Sequence, residues 1–146
     1  LHGMLHPEAG HMLVRTRPTE EGRCACPSHA SCLEGLASGP AIAARWGKPA
    51  AELADNDEVW ALEGDYLGQM CANLVLTYSP RRIVLGGGVM HQEQLYGIVR
   101  KKTLEYLGGY IQTAELKDIE SYICAPGCGG DQGILGAAEL ARRALA

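Results

Sequence analysis

The stretch NDEVWALEGDYLGQMCANLVLTYSPRRIVLGGG, residues 56–88, decides the fold. Asn56 is a helix-capping residue type. Val59, Leu62, Tyr66, Met70, Leu74 and Tyr78 then recur every three to four residues. That spacing predicts one helix about 30 Å long with a single apolar stripe, ended by Pro80. Arg82-Ile83-Val84-Leu85 follows as a short strand whose Ile-Val-Leu run suggests burial, and Gly86-Gly87-Gly88 turns the chain out of it.

Downstream, Leu95, Ile98, Val99 and Tyr106 predict a second amphipathic helix stopped by Gly108-Gly109. Ile119 to Ala125 reads as a second strand ended by Pro126-Gly127, and Ile134 to Leu145 as a last helix. Its Ala137, Ala138, Ala141 and Ala144 would allow close packing. Upstream, Leu33 to Trp46 suggests a helix interrupted near Gly39-Pro40, and Pro49 suits the first turn of a short helix through Ala54. The order helix, strand, helix, strand, helix predicts an α/β fold with a mainly parallel sheet. Nothing in the chain repeats, and no low-complexity linker divides it.

Residues 1–32 read differently. Met12-Leu13-Val14 is strand-like, while Pro7 and Gly10 argue against a helix. Residues 16–32 are polar and rich in Cys, His, Pro and Ser. An irregular loop of this length needs something to hold it. The chain also opens on Leu1 rather than Met, which suggests a piece of a longer protein.

Composition narrows the classes. With 146 residues, one domain can bury roughly 70% of its unfolded surface. Hydrophobic residues make up 47% and charged residues 21%, as in an ordinary globular domain. There is no Phe, so Leu, Ile, Val, Met and Ala must fill the core. Net charge is −4, with basic residues only in short clusters at Arg81-Arg82, Arg100-Lys101-Lys102 and Arg142-Arg143. A nucleic-acid partner is therefore disfavoured. No apolar run approaches the roughly 20 residues of a membrane span, and no secretory signal opens the chain. A cytoplasmic protein is expected, with no membrane partner.

Six cysteines in such a chain point away from a disulfide framework. Cys71, Cys124 and Cys128 are scattered and read as core or loop residues. Cys24, Cys26, His29 and Cys32 crowd into CACPSHASC, with His11 fifteen residues before Cys26. Thiolate and imidazole donors in a set of four favour zinc. Five candidates compete for four places: His11, Cys26, His29 and Cys32, or His11 with all three cysteines. Either set would be a closed structural site that supplies folding energy to the loop, on the order of 10–16 kcal/mol in zinc-finger peptides. Two other metal patterns fail. In HPEAGH, residues 6–11, the Glu is two residues after the first His, and Pro7 and Gly10 spoil the helix that H-E-x-x-H needs. The zinc-deaminase signature needs P-C-x-x-C, but the order here is Cys26-Pro27 with the next Cys at position 32.

Glu8-Ala9-Gly10-His11, the Cys/His cluster running into Cys32-Leu33-Glu34-Gly35, Ala37-Ser38-Gly39, Ile83 to Val89 and the closing Gly133-Ile134-Leu135-Gly136-Ala137-Ala138 together resemble the ROK (repressor, open reading frame, kinase) family of sugar kinases. Each motif alone is weak; their order over nearly the whole chain is specific. His6-Pro7-Glu8 and Cys26-Pro27-Ser28-His29-Ala30-Ser31-Cys32 resemble the family's bacterial fructokinase branch, and Cys24 is a departure from it.

The resemblance implies an actin-like, ribonuclease H-like ATPase fold. Residues 1–146 would be its carboxy-terminal half, with an inserted zinc loop at 11–32. It implies His11, Cys26, His29 and Cys32 as zinc ligands, with Glu8, His11 and Glu34 reaching toward sugar hydroxyls. Carboxylates and imidazole suit that task as hydrogen-bonding groups; otherwise Glu8 is a solvated loop residue and Glu34 a helix-start charge. Gly86, Gly87 and Gly88 would let backbone amides approach ATP at a helix start, with Val89 and Met90 beside the adenosine. Without a ligand, the same glycines would make a tight turn.

The implied reaction moves the γ-phosphoryl group of ATP, with Mg²⁺, to a hydroxyl of a hexose, fructose before glucose, mannose or N-acetylmannosamine. The family's phosphate loop and catalytic Asp are absent from this sequence, so no catalytic residue is named and the chain alone is expected not to phosphorylate sugar. A homodimer is implied. The alternatives are a sugar-responsive repressor of the same family and a free-standing zinc-stapled binding module.

Overall fold

In the computed structural model, which describes residues 4–145, Asn56 accepts the N–H groups of Glu58 at 3.2 Å and Val59 at 3.4 Å. Two of the orphan donors at the helix start are thus satisfied, and helix α3 runs Asp57–Tyr78. The helices α1, Leu33–Ala37, and α2, Gly39–Trp46, precede it. After it come strand β1, Ile83–Val84, and helix α4, Gln94–Leu107. Two one-turn helices follow, α5, Ala114–Lys117, and α6, Ile119–Tyr122, then β2, Ile123–Cys124, and α7, Gln132–Ala144.

The expected α/β order holds, and β1 pairs with β2 in parallel, Ile83 opposite Ile123 and Val84 opposite Cys124. The sheet is much shorter than the apolar runs suggested. Ile83 and Leu85 are buried, but Val84 is 55% exposed, because successive residues of a strand face opposite ways. Of the run from Ile119 to Ala125, the first four residues form α6 and only Ile123 and Cys124 pair. Arg100 holds this junction by donating to the carbonyls of Ile123 at 2.9 Å and Glu120 at 3.1 Å.

Helices α3 and α4 form the main packing unit. Leu95 and Val99 are fully buried against Trp60, Cys71 and Val75. The helices meet closely because Gly64 and Gly68 have no side chain. A Cβ at Gly68 would lie 3.3 Å from the backbone of Lys102 and Thr103. The stripe expected along α3 is broader than one face: Glu63, Asp65 and Gln69 are buried as well, whereas Tyr78 at the far end is exposed. Gly108 ends α4 in the left-handed conformation, while Ser79 takes that role for α3, with φ 45°.

The interruption near Gly39-Pro40 falls at Ser38, whose hydroxyl caps α2 by accepting from the N–H of Ala41 at 3.3 Å. The turn after Pro49 is a 3₁₀ helix, Ala50–Leu53. Met12 to Val14 makes no sheet strand but one antiparallel bridge, Leu13 with Cys32. Helix α7 departs most from expectation: no residue of it is buried, and Ile134, Leu135 and Leu140 lie open.

Candidate metal centre and glycine cleft

Three pieces of chain carry the donor cluster. His11 ends a 3₁₀ turn, Ala9–His11. Cys26 and His29 lie in the irregular loop, and Cys32 is the N-cap of α1, its sulfur accepting the N–H of Gly35 at 3.4 Å. Backbone bonds from Val14 N–H to the Ser31 carbonyl, 2.9 Å, and from Leu33 N–H to the Met12 carbonyl, 3.0 Å, bring the first and last pieces together. Ala25 N–H donates to the Gly35 carbonyl at 2.7 Å. That contact needs glycine, since a Cβ on Gly35 would sit 2.7 Å from the Cys26 nitrogen.

Ligand atoms of His11, Cys26, His29 and Cys32 all lie within 4.8 Å of one another. Cys26 Sγ is 3.4 Å from His29 Nδ1 and 4.0 Å from His11 Nδ1. Tetrahedral zinc, with bonds of about 2.0–2.3 Å, separates its ligands by about 3.3–3.8 Å. Two sulfurs and two imidazole nitrogens at these separations fit that ion and suit calcium or magnesium poorly. Of the two sets open in the sequence, the geometry gathers the one with His29. Cys24 instead points its thiol at the Cys32 carbonyl, 4.0 Å away, and packs against the small apolar cluster under the loop.

The two thiols are prepared differently. A hydrogen bond from the Ser28 backbone, ahead of burial's opposing effect, holds the Cys26 thiol below its ordinary pKa. Burial pushes Cys32 up to about 11. Cys32 would therefore stay protonated near neutral pH until a bound metal displaced its proton into solvent.

His11 turns its Nδ1 toward Cys26 and its Nε2 toward Glu34, whose Oε2 is 3.9 Å away. The carboxylate lies within ion-pair distance of the ring but beyond hydrogen-bond reach. A carboxylate at the far nitrogen orients a metal-ligating imidazole only when it closes to a hydrogen bond. Glu34, in the first turn of α1, also leans over the Ala9–His11 turn, where a Cβ on Gly10 would come within 3.2 Å of its Oε2. Glu8 stands one turn away, exposed, and pairs with His6 Nε2 at 2.7 Å. Of the three proposed sugar-facing residues, the fold joins His11 with Glu34 and leaves Glu8 engaged by His6.

The second candidate region lies at the end of β1. Gly86, Gly87 and Met90 line a cleft of about 440 Å³ together with His91, Tyr96 and Gln132. Gly87 has φ 97°, a conformation open to glycine, and a Cβ on Gly86 would meet Pro126 at 2.9 Å. Gly88 opens a 3₁₀ turn, Gly88–His91, and Val89 packs against the main core. The triple glycine thus leads into a single tight turn, not directly into a helix: α4 starts only at Gln94. His91, Tyr96 and Gln132 carried no motif in the sequence. Tyr96 is anchored by donating to the Leu85 carbonyl at 2.7 Å.

Among the described residues, no helix is long and apolar enough to cross a membrane.

A protein of Bacillus subtilis (strain 168) is 45% identical over 146 residues, covering 99% of this chain and 49% of the relative. A fructokinase of Pediococcus pentosaceus is 41% identical over 144 residues, with 99% and 49% covered. The crystal structure of the ROK hexokinase from Thermus thermophilus superposes with a TM-score of 0.71 at 26% identity, over 94% of this chain and 48% of that one. The chain spans about half the length of the curated relatives it matches. The sequence pattern of the ROK family matches residues 1–144, and the chain belongs to that family.

Proposed function

We propose that this chain is the carboxy-terminal, zinc-stapled half of an ATP-dependent hexose kinase, with D-fructose as first substrate and fructose 6-phosphate as product. The observation that carries the reading is the position of His11. One ring nitrogen belongs to the four-donor cluster and the other faces Glu34. Zinc on His11, Cys26, His29 and Cys32 would supply a fixed scaffold for the loop. Glu34 then stands as an acceptor for sugar hydroxyls, with Glu8 joining it once released from His6.

At the other end, the Gly86-Gly87 turn offers backbone that a phosphate-bearing ligand can approach closely. Met90 and Tyr96 give its cleft an apolar floor suited to a nucleoside. Phosphoryl transfer rests on positioning and on neutralising charge, with Mg²⁺ supplying the latter. The base that takes the hydroxyl proton is assigned to the other half of the complete protein, and none of these residues is given that role. The name fructokinase carried by the Pediococcus relative supports fructose. The same reading places the enzyme in the cytoplasm as a homodimer.

The test is a phosphorylation assay of the full-length protein against fructose, glucose, mannose and N-acetylmannosamine, with and without a zinc chelator. Fructose should give the highest kcat/KM, and chelation should raise KM for the sugar more than for ATP. Equal turnover of all four sugars, or indifference to chelation in a protein shown to have lost its zinc, contradicts the assignment. The 146-residue chain alone should give no ATP-dependent sugar phosphate.

A further inference from the structure

A guanidinium at the end of α2 touches both flanks of the ligand-bearing loop. Arg45, 2% exposed, places Nε 2.6 Å from Glu20 Oε2, before the loop's cysteines. Its Nη1 donates to the Leu36 carbonyl at 2.9 Å, just after Cys32, and to Glu63 Oε1 of α3 at 3.0 Å. Glu63 is wholly buried and Glu20 only 12% exposed. The Arg45–Glu20 pair is a close charge contact lying off the hydrogen-bond direction, so its force is mainly electrostatic.

A second tie holds the remaining piece. Gln69 of α3 accepts the Arg15 N–H at 2.8 Å and donates to the Arg15 carbonyl at 3.0 Å. This two-point clamp reads backbone alone, four residues after His11. Each flank that enters or leaves the donor cluster is therefore fixed by a buried polar side chain of α2 or α3, and none of these side chains is a donor in the cluster.

Buried ion pairs are poor sources of net stability, because the cost of taking charges out of water offsets their attraction. Apolar residues would fill the same space at least as well for stability alone. What the polar groups supply is direction: the Gln69 amide pairs with both backbone groups of Arg15, and Arg45 Nη1 with the Leu36 carbonyl and Glu63. Another placement of the loop would lose these bonds, although Arg45 Nε and Nη2 make no hydrogen bond even here. We propose that Arg45 and Gln69 are positioning residues of the metal centre, holding the two flanks of the loop in their ligand-bearing arrangement before the ion arrives. The proposal rests on the zinc reading above. Its consequence is a preorganised site, in which the ion closes Cys26 and His29 onto His11 and Cys32 without having to order the whole loop.

Zinc affinity of the full-length protein, measured by competition with a chromophoric chelator, tests it. Gln69→Leu and Arg45→Met should each bind zinc at least about ten-fold more weakly than the wild type, on the scale of outer-shell substitutions. Arg45→Lys should recover part of the loss. Leu107→Ala, a core truncation at the far end of α4, should lower the unfolding temperature yet leave zinc affinity within about two-fold, since it touches no outer-shell group. Unchanged affinity in the first two variants, or an equal loss in Leu107→Ala, overturns the proposal. Should Arg45→Met or Gln69→Leu fail to fold, the wild type decides. In the metal-free full-length protein the Arg15 amide must stay protected from hydrogen exchange, and free exchange there refutes preorganisation. A wild-type protein that binds no zinc at all sinks the metal reading itself and this inference with it.

Discussion

Two halves of this chain solve the same problem by different means. From α3 onward, apolar burial does the holding: Trp60, Leu95, Val99 and Ile123 are essentially inaccessible to water. The segment before α2 rests on a small apolar cluster, in which its Val14, Leu33 and Leu36 pack with Leu62 and Tyr66 of α3. There the chain relies on four soft donors, a buried arginine and a glutamine clamp. Apolar contacts tolerate sliding, whereas directional groups fix a loop in one place. The half proposed to meet sugar is the directional one.

The sharpest way to break the contrast is to remove a donor. Cys26→Ser should abolish tight zinc binding, removing a large share of a total that is on the order of 10–16 kcal/mol in zinc-finger peptides. Amides of residues 24–31 should then exchange quickly while those of α3 stay protected. If α3 loses protection too, the halves are one cooperative unit and the contrast is false. The opposite cut is Trp60→Ala, expected to cost about 3–5 kcal/mol in chemical unfolding. The indole is buried and also donates to the Leu53 carbonyl at 2.8 Å, so both packing and a hydrogen bond go. Zinc affinity of the folded fraction should not move. A smaller effect is expected of Gly68→Val, which would force α3 and α4 apart and cost about 1–3 kcal/mol. A neutral result would mean that the helices slide freely at Lys102.

Much of the directional half was legible, because spacing in sequence brought Cys26, His29 and Cys32 onto one short loop and singled out His11 as the distant fourth. The choice between His29 and Cys24 was not legible. It depends on the close approach of Ala25 and Cys26 to Gly35, a contact between segments that no local pattern encodes. In the apolar half, Asn56 and Gly108 marked helix ends correctly, since capping is local chemistry. Ile119 to Ala125 misled because short apolar runs suit a buried strand and a buried helical turn equally. Buried Glu63 and Gln69 were invisible for a related reason: a polar residue on an apolar stripe is assigned to solvent until its partners, Arg45 and Arg15, are known. His91, Tyr96 and Gln132 reach one cleft from separate segments, so neither periodicity nor motif could assemble them.

The least disruptive test uses pH, which the apolar half should ignore and the arginine lock should feel. Burial pushes the Glu63 carboxyl from its ordinary 4.5 up to about 8, with Arg45 opposing the shift and Glu20 adding to it. Below 4.5 the group is protonated in both folded and unfolded chains and contributes no pH dependence. Between 4.5 and about 8 the folded chain keeps a proton that the unfolded chain has released. Stability must therefore fall as pH rises through that window and level off above it. Glu63→Gln keeps an acceptor for Arg45 but cannot titrate, so its unfolding free energy should lose this slope. Urea unfolding of the metal-free chain at about pH 5 and about pH 8 compares the two, both points lying in the window where the proton is released. The variant should gain on the wild type at the higher pH. Parallel profiles would mean that Glu63 is already charged in the fold, so that the Arg45 lock is a fully ionic pair at neutral pH and its strength owes nothing to proton uptake.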